Sequence, residues 1–345
     1  MTMSKQAIVF IYIAGQPVPA GMLTTFVDGR YTSSEFAYGS RYIERPDAIP
    51  MDPVTLPLPP PGLKNVVYRT KSDFSVFNGI RDAGPDKWGR YLLDKKYPAL
   101  GLDEFDYIVS SGTDRVGALG FGADPESGIG AWDGNKFIAA ASERYPDLAQ
   151  IQLAVDHAED PDNPDFQKLL EYGPSLGGAR PKGTVIWNDQ LYLAKFSLKS
   201  DVWNLCRGEF ATMKLACECG MNVPHVDITE VLGKSVYLIE RFDRINGNRI
   251  PFHSALTMTD SHESDYGRHS YKDIVDAISR FSPTPKEDRE SCTGAWSLIF
   301  SVQTPMIICV ITAWFMLEMD NGSYLHCTMW YHSHRVQTHG HWRCM

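Results

Sequence analysis

The chain has too few basic residues to hold nucleic acid by charge alone. Its 33 lysines and arginines stand against 42 acidic residues, a formal net charge of -9, and a summed negative field repels polyphosphate. Contact with DNA is therefore expected only through a partner that brings the cations. A secretory leader is also missing: MTMSKQAIVFIYIAG has one lysine and a short apolar run that alternates into a turn, without a cleavage site. It reads as a first β-strand. The seven cysteines are odd in number and irregularly spaced, which argues against a disulfide scaffold. Cys206, Cys217 and Cys219 fall in a helical segment of what reads as a cytoplasmic domain, and are expected as reduced thiols. There is no internal repeat, no Gly-Lys-Ser/Thr phosphate loop and no G-x-G-x-x-G.

What is present is ordinary globular composition, 43% hydrophobic and 22% charged over 345 residues, enough chain to bury one large core or two smaller ones. Short strands are expected over Ile8 to Ile13 and Tyr31 to Tyr42, with a turn from Gly15 to Pro19. PLPPPG at Pro57 to Gly62 breaks regular structure. Pro85 opens a helix whose face carries Trp88, Leu92 and Leu93, and a second short helix follows over Asp103 to Ser110. Val116 to Phe121 reads as a strand. Two amphipathic stretches lie between Ile151 and Glu171, split at Asp160 to Pro164. Strands are expected at Thr184 to Trp187, Leu191 to Phe196, Val226 to Leu232 and Ser235 to Phe242. Helices are expected from Glu209 to Cys219, stopped by Gly220, and from Tyr271 to Phe281.

Three segments carry candidate chemistry. GPSLGGARPK, Gly173 to Lys182, has paired glycines, a serine and two cations between a helix and a strand. Such a loop can turn backbone N–H groups toward an anion while Arg180 and Lys182 neutralise it; a glycine-rich hairpin with solvated charges would read the same. Lys195 lies in the apolar strand LYLAKF and needs a counter-charge, which Glu209 at the start of the next helix can provide. A strand lysine paired with a helix glutamate is how kinases hold nucleotide phosphates. VYLIERFDR ends a strand at Glu240 to Asp243, where backbone groups can meet an adenine ring between two lobes, or where an exposed charged turn simply closes the strand.

Taken together, SLGGARPK, LAKF, RGEFATMKLACECGMNVP and IERFDR resemble the HipA family of toxin kinases in order and spacing, and FIYIAGQPVPAG and DAGPDKWGRYLL resemble its N-terminal module. The resemblance covers about the first 290 residues. It implies an α+β, two-lobed, protein-kinase-like fold: a β-rich subdomain over 1–110, a nucleotide-binding region with its hinge over 111–245, and the start of a helical lobe over 246–290. It implies ATP and Mg²⁺ as cofactors, phosphoryl transfer to a serine or threonine of a protein substrate, and a HipB-like helix-turn-helix antitoxin that makes the DNA contacts. Carried over residue by residue, Gly177, Gly178, Ala179, Arg180 and Lys182 belong to the phosphate loop, Lys195 and Glu209 form its lysine pair, and Glu240 and Phe242 sit at the adenine hinge. Ser175 matches a loop serine that members autophosphorylate; an added charge there would repel ATP. A simple capping role is the alternative for that serine.

Past the hinge the resemblance fails. The family's F-N, N-x-D-D-H-x-x-N and S-P-x-Y-D strings are missing, and with them the catalytic and metal-binding aspartates. From Ser291 on there are only four charged residues, Glu318, Asp320, Arg335 and Arg343, yet four of the seven cysteines and four of the eight tryptophans. Trp296 to Leu317 is an uncharged run long enough to span a bilayer, and Cys327, His332, His334, His339, His341 and Cys344 are candidate metal ligands without a zinc spacing. A change of reading frame near Ser291 explains more. If each new codon takes the last base of one codon and the first two of the next, Met306 and Ile307 must encode GAT, aspartate. The flanking codons then permit N-T-D-D-H-L-R-N. Gly294 to Ile299 permits R-M-V-F-N, and Asp320 to Trp330 permits Q-W-Q-L-S-P-L-Y-D-V. The expected product is a kinase scaffold with a garbled helical lobe, no intact catalytic residue and no metal site. Its apolar faces around Ile274 and Ile278 are expected to lack packing partners. A remnant that binds antitoxin or ATP without catalysis, or a membrane-anchored kinase-like protein, are the other readings.

Overall fold

The computed structural model describes residues 3–29, 31–72, 74–140, 144–160, 162–172, 180–262, 270–302, 314–319 and 325–329. Strands β1 (Met3–Ile13) and β2 (Gln16–Asp28) form a hairpin closed by Ala14 and Gly15. Both turn residues have positive φ, 47° and 76°, the mirror-image turn whose twist suits paired strands. The turn is thus tighter than the Gly15 to Pro19 expected from the sequence. Pro17 and Pro19 sit inside β2, in the part that extends beyond β3 (Tyr31–Tyr38) and pairs on one side only, where a missing N–H is tolerated. After α1 (Ser40–Ile43), β4 (Val67–Arg69) adds to the other edge of β3.

The helices α2 (Asn78–Arg81), α3 (Lys87–Lys96) and α4 (Glu104–Ser110) lead to β5 (Leu119–Gly122), which pairs with β1 and completes an antiparallel sheet of order β4-β3-β2-β1-β5. The first sheet therefore draws a strand from beyond residue 110, where the sequence placed the edge of the N-terminal subdomain. Asp103 and Asp106 form a capping box at the start of α4, and both carboxylates receive Lys5 Nζ from β1, at 2.7 and 2.6 Å. Phe105 and Ile108 on α4 pack with Val9, Ile11, Phe36 and Phe121 in the first core. A short hairpin of β6 (Gly130–Trp132) and β7 (Phe137–Ala139) lies beside it, with Trp132 and Phe137 against the same core.

The second core begins with α5 (Leu148–Asp156) and α6 (Pro164–Tyr172). They cover one face of an antiparallel sheet built from β8 (Lys182–Trp187), β9 (Gln190–Phe196), β10 (Val226–Val231) and β11 (Lys234–Glu240), in the order β10-β11-β9-β8. Alternation along the strands sends Val185, Ala194, Phe196, Val236 and Leu238 to that face. The other face carries Tyr237 and is covered by α7 (Leu205–Glu218) through Cys206 and Met213. The helix starts one turn before Glu209 because Asn204 caps it, accepting from Arg207 N at 3.0 Å. It stops where expected. Gly220 at φ 81° lets its N–H reach Cys217 O and Met221 N reach Ala216 O, a Schellman closure.

Beyond the sheet come a two-stranded ribbon of β12 (Arg244–Ile245) and β13 (Asn248–Arg249), then β14 (Phe252–Ser254) and the helices α8 (Ala255–Met258), α9 (Tyr271–Phe281) and α10 (Pro285–Val302). Ile278 is fully buried and packs with Met258, Ala277 and Cys292, and Ile274 lies against the same cluster. The apolar face of α9 is therefore covered, contrary to expectation, because α10 runs unbroken past Ser291 and folds back on it. Strands β15 (Trp314–Met319) and β16 (Leu325–Met329) pair with β14 in the order β14-β15-β16.

Cys206 and Cys219 are free thiols as expected, whereas Cys217 is disulfide-bonded. Among the described residues no helix is long and apolar enough to cross a membrane. Of the uncharged run Trp296 to Leu317, residues 303–313 lie outside the described residues.

Candidate nucleotide site

Register decides what the second sheet presents on the α7 face. Lys182 on the edge strand β8 stands directly opposite Lys195 on β9, and Tyr237 on β11 flanks Lys195 from the other side. Two like charges opposite each other destabilise a strand pair unless each is compensated. Each is. Glu209, in the second turn of α7, takes Lys195 Nζ at 2.5 Å, and the Lys195 ammonium lies 5.5 Å from the centre of the Tyr237 ring. Asp86, the N-cap of α3, reaches around the sheet edge to within 3.4 Å of Lys182 Nζ. The Lys182 side chain is only 4% exposed, against 19% for Lys195. Burial pushes the Asp86 carboxyl up to about 6, with the nearby Lys182 charge and two backbone N–H groups opposing it.

Arg180 is also committed. Its guanidinium grips Asp201 through two hydrogen bonds of 2.9 and 2.5 Å, and Asp201 accepts Leu198 N as well. Burial would raise that carboxyl, but these donors prevail and hold it below its ordinary value. Ser175, Gly177, Gly178 and Ala179, the rest of the expected phosphate loop, lie outside the described residues.

The strand end at Glu240 is not an exposed turn. Arg241 and Asp243 are 4% and 1% exposed and bond to each other. Arg241 also reaches Asp114 at 2.5 Å and Thr184 Oγ1 at 3.1 Å, while Asp243 accepts Arg244 Nη1 at 2.7 Å and Gly117 N at 2.8 Å. Burial alone would push Asp243 up; the two guanidinium groups reverse the shift and hold it far below the carboxylate range. The cluster ties the end of β11 to the segment that leads into β5. Glu240 and Phe242 alternate with the buried pair. Burial raises the Glu240 carboxyl, and the Phe242 ring lies 6.0 Å from that of Phe252. No sequence signal separated Arg241 and Asp243 from Glu240 and Phe242 beyond the alternation itself; Asp114 and Asp86, far away in the chain, were not legible as site residues.

Residues 174–302 match the family described as the HipA-like C-terminal domain. That segment, 129 of the 345 residues, is similar to the HipA family. No curated protein is matched. Among solved structures the chain resembles one from Shewanella oneidensis MR-1, a complex of the toxin–antitoxin system proteins HipA and HipB with operator DNA. The TM-score is 0.57 and the identity 19%, over 94% of this chain and 75% of that one. At this identity the likeness establishes the HipA fold. It agrees with the α+β architecture, in which a β-rich N-terminal region precedes the sheet that carries Lys195.

A lysine fixed by a glutamate on a sheet face is suited to neutralise a phosphate. A metal is another matter. Among the described residues no group of three or more His, Cys, Asp or Glu is placed to hold one. Of the tail candidates, His332, His334, His339, His341 and Cys344 lie outside the described residues.

Proposed function

We propose that this chain is the scaffold of a HipA-like serine/threonine-protein kinase toxin of a type II toxin–antitoxin system, able to dock ATP but unable to transfer its phosphate. The observation that carries the reading is the 2.5 Å pair of Lys195 with Glu209. Phosphoryl transfer needs a carboxylate on the metal and another at the acceptor hydroxyl, and the family strings that hold both are missing from the sequence. Their in-order recovery in a shifted frame supports an altered reading frame near Ser291 as the cause. The family match itself ends at residue 302. Sequencing the encoding DNA tests the frame: synonymous codons incompatible with N-T-D-D-H-L-R-N end that explanation.

The working experiment is a pair of measurements on the purified chain. ATP is expected to raise its thermal midpoint, through Lys195, Glu209 and the hinge residues Glu240 and Phe242. Radiolabel from γ-labelled ATP is expected to remain off protein, Ser175 included. Transfer to a protein serine or threonine would refute the inactive reading; no stabilisation by ATP would refute nucleotide docking. A HipB-like antitoxin is the partner proposed, supported by the HipA–HipB–DNA assembly of the Shewanella protein, and the net charge of -9 assigns the DNA contacts to that partner. The cytoplasm is the proposed location.

A further inference from the structure

The segment DAGPDKWGRYLL reads as part of an N-terminal module, yet α3 does not belong to the first core. Trp88 and Leu92 pack with Ile151, Phe166, Val185 and Phe196 in the core of the second sheet. Its cap residue Asp86 spends one carboxylate on two tasks. It accepts Trp88 N at the helix start, at 3.2 Å, and it faces Lys182 at 3.4 Å. Lys182 ends the glycine-rich loop and begins the edge strand, and it stands opposite Lys195. The four charges of Asp86, Lys182, Lys195 and Glu209 sum to zero, with each acid arriving from a different helix.

We propose that Asp86 is a positioning residue that latches the end of the phosphate loop to the N-terminus of α3, holding Lys182 in place beside the Lys195–Glu209 pair. Lys182 is then an anchor turned toward Asp86, and the cation left to meet a phosphate is Lys195. The significance of the latch for ATP rests on the nucleotide reading above; the latch itself does not. The Lys182 side chain is 4% exposed and that of Asp86 28%, so removing the carboxylate leaves a buried ammonium less compensated.

The two functions of Asp86 separate by substitution. Asparagine caps helices as well as aspartate does, so Asp86→Asn keeps α3 and removes only the charge. Hydrogen exchange on the full chain without nucleotide reads the latch directly. Asp86→Asn is expected to speed exchange over residues 180–184 about tenfold while α3 is unchanged, since local opening follows the loss of a local tie. Asp86→Glu is expected to restore slow exchange. Lys182→Met should match Asp86→Asn, and the double variant should add nothing to either, as coupled neighbours do. Exchange within twofold of the parent in Asp86→Asn, or additive effects in the double variant, would overturn the proposal. ATP titration of the same proteins is a separate arm. A parent that binds no ATP counts against the nucleotide reading while exchange still decides the latch.

Discussion

Residues 182–244 and the residues after Ser291 handle charge in opposite ways. In the first region Lys182, Lys195, Arg241 and Asp243 are wholly or largely out of water, and each faces an opposite charge drawn from another element. In the second, four charged residues remain in the whole stretch. A buried ion pair costs desolvation and contributes little net stability over an apolar pair, so its presence marks a geometry that something other than stability requires. Scarcity of charge marks nothing by itself. The first region is specified by its partners.

The largest test of that contrast is chemical. Restoring the shifted frame after Ser291 is expected to take the protein from no detectable phosphate transfer to turnover on the order of 1 per second, the low end for protein kinases, measured with labelled ATP. A restored protein that stays silent would mean that the second region is not what separates this chain from an enzyme.

Next in size is the Arg241–Asp243 cluster. Asp243→Ala leaves Arg241 and Arg244 facing each other in a dry site, and breaking a buried pair in this way costs about 3–5 kcal/mol, to be read by urea unfolding. A loss under about 1 kcal/mol would show the cluster to be dispensable. Because Asp243 is held below its ordinary range, its contribution is complete above the unfolded carboxylate pKa near 4. It is lost only as pH falls below that through the folded value.

The seam between the two regions gives the third effect. His253 on β14 pairs through its backbone with β15 from the second region, and both its ring nitrogens are buried without a hydrogen-bond partner among the described residues. Burial pushes it down to about 4, with Asp52 opposing. As pH falls below about 6.5 the unfolded chain takes up a proton that the folded imidazole refuses, so His253 lowers stability progressively toward pH 4. His253→Leu removes this loss, and its advantage over the parent is expected to widen by about 2 kcal/mol between pH 7 and pH 4.5. Asp82, raised to about 6 by burial, shifts stability the other way but is common to both proteins. Parallel pH curves would mean that the imidazole has found a partner.

The smallest effect sharpens the site. Lys195→Met should weaken ATP binding about tenfold, near 1.4 kcal/mol, and change folding stability by less, because the pair is partly wet. Calorimetric titration that finds unchanged affinity would move the phosphate elsewhere.

Much of this was legible in the chain. Tyr271–Phe281 forms as a helix at the residues its period marks, and Gly220 stops α7 by the expected route. The pairing of Lys195 with Glu209 was readable because a lysine inside an apolar strand must find an acid nearby. The prolines of β2 misled, since a strand that overhangs its neighbour tolerates them and nothing local announces the overhang. Ile274 and Ile278 misled for a related reason: their cover comes from α10, which runs on past Ser291 to the end of the family match at residue 302 and brings a buried Cys292.

By itself the sequence determined most strands of the two sheets, the helix Tyr271–Phe281 and the lysine–glutamate pair, all of which follow from side-chain period and from the need of a low-lying charge for a near neighbour in the chain. Only the tertiary structure decided that Asp86 belongs with Lys182, that Asp114 belongs with Arg241, and that α3 serves the second core. Those contacts join residues about a hundred positions apart, and strand register, which one sequence does not encode locally, is what brings them within reach.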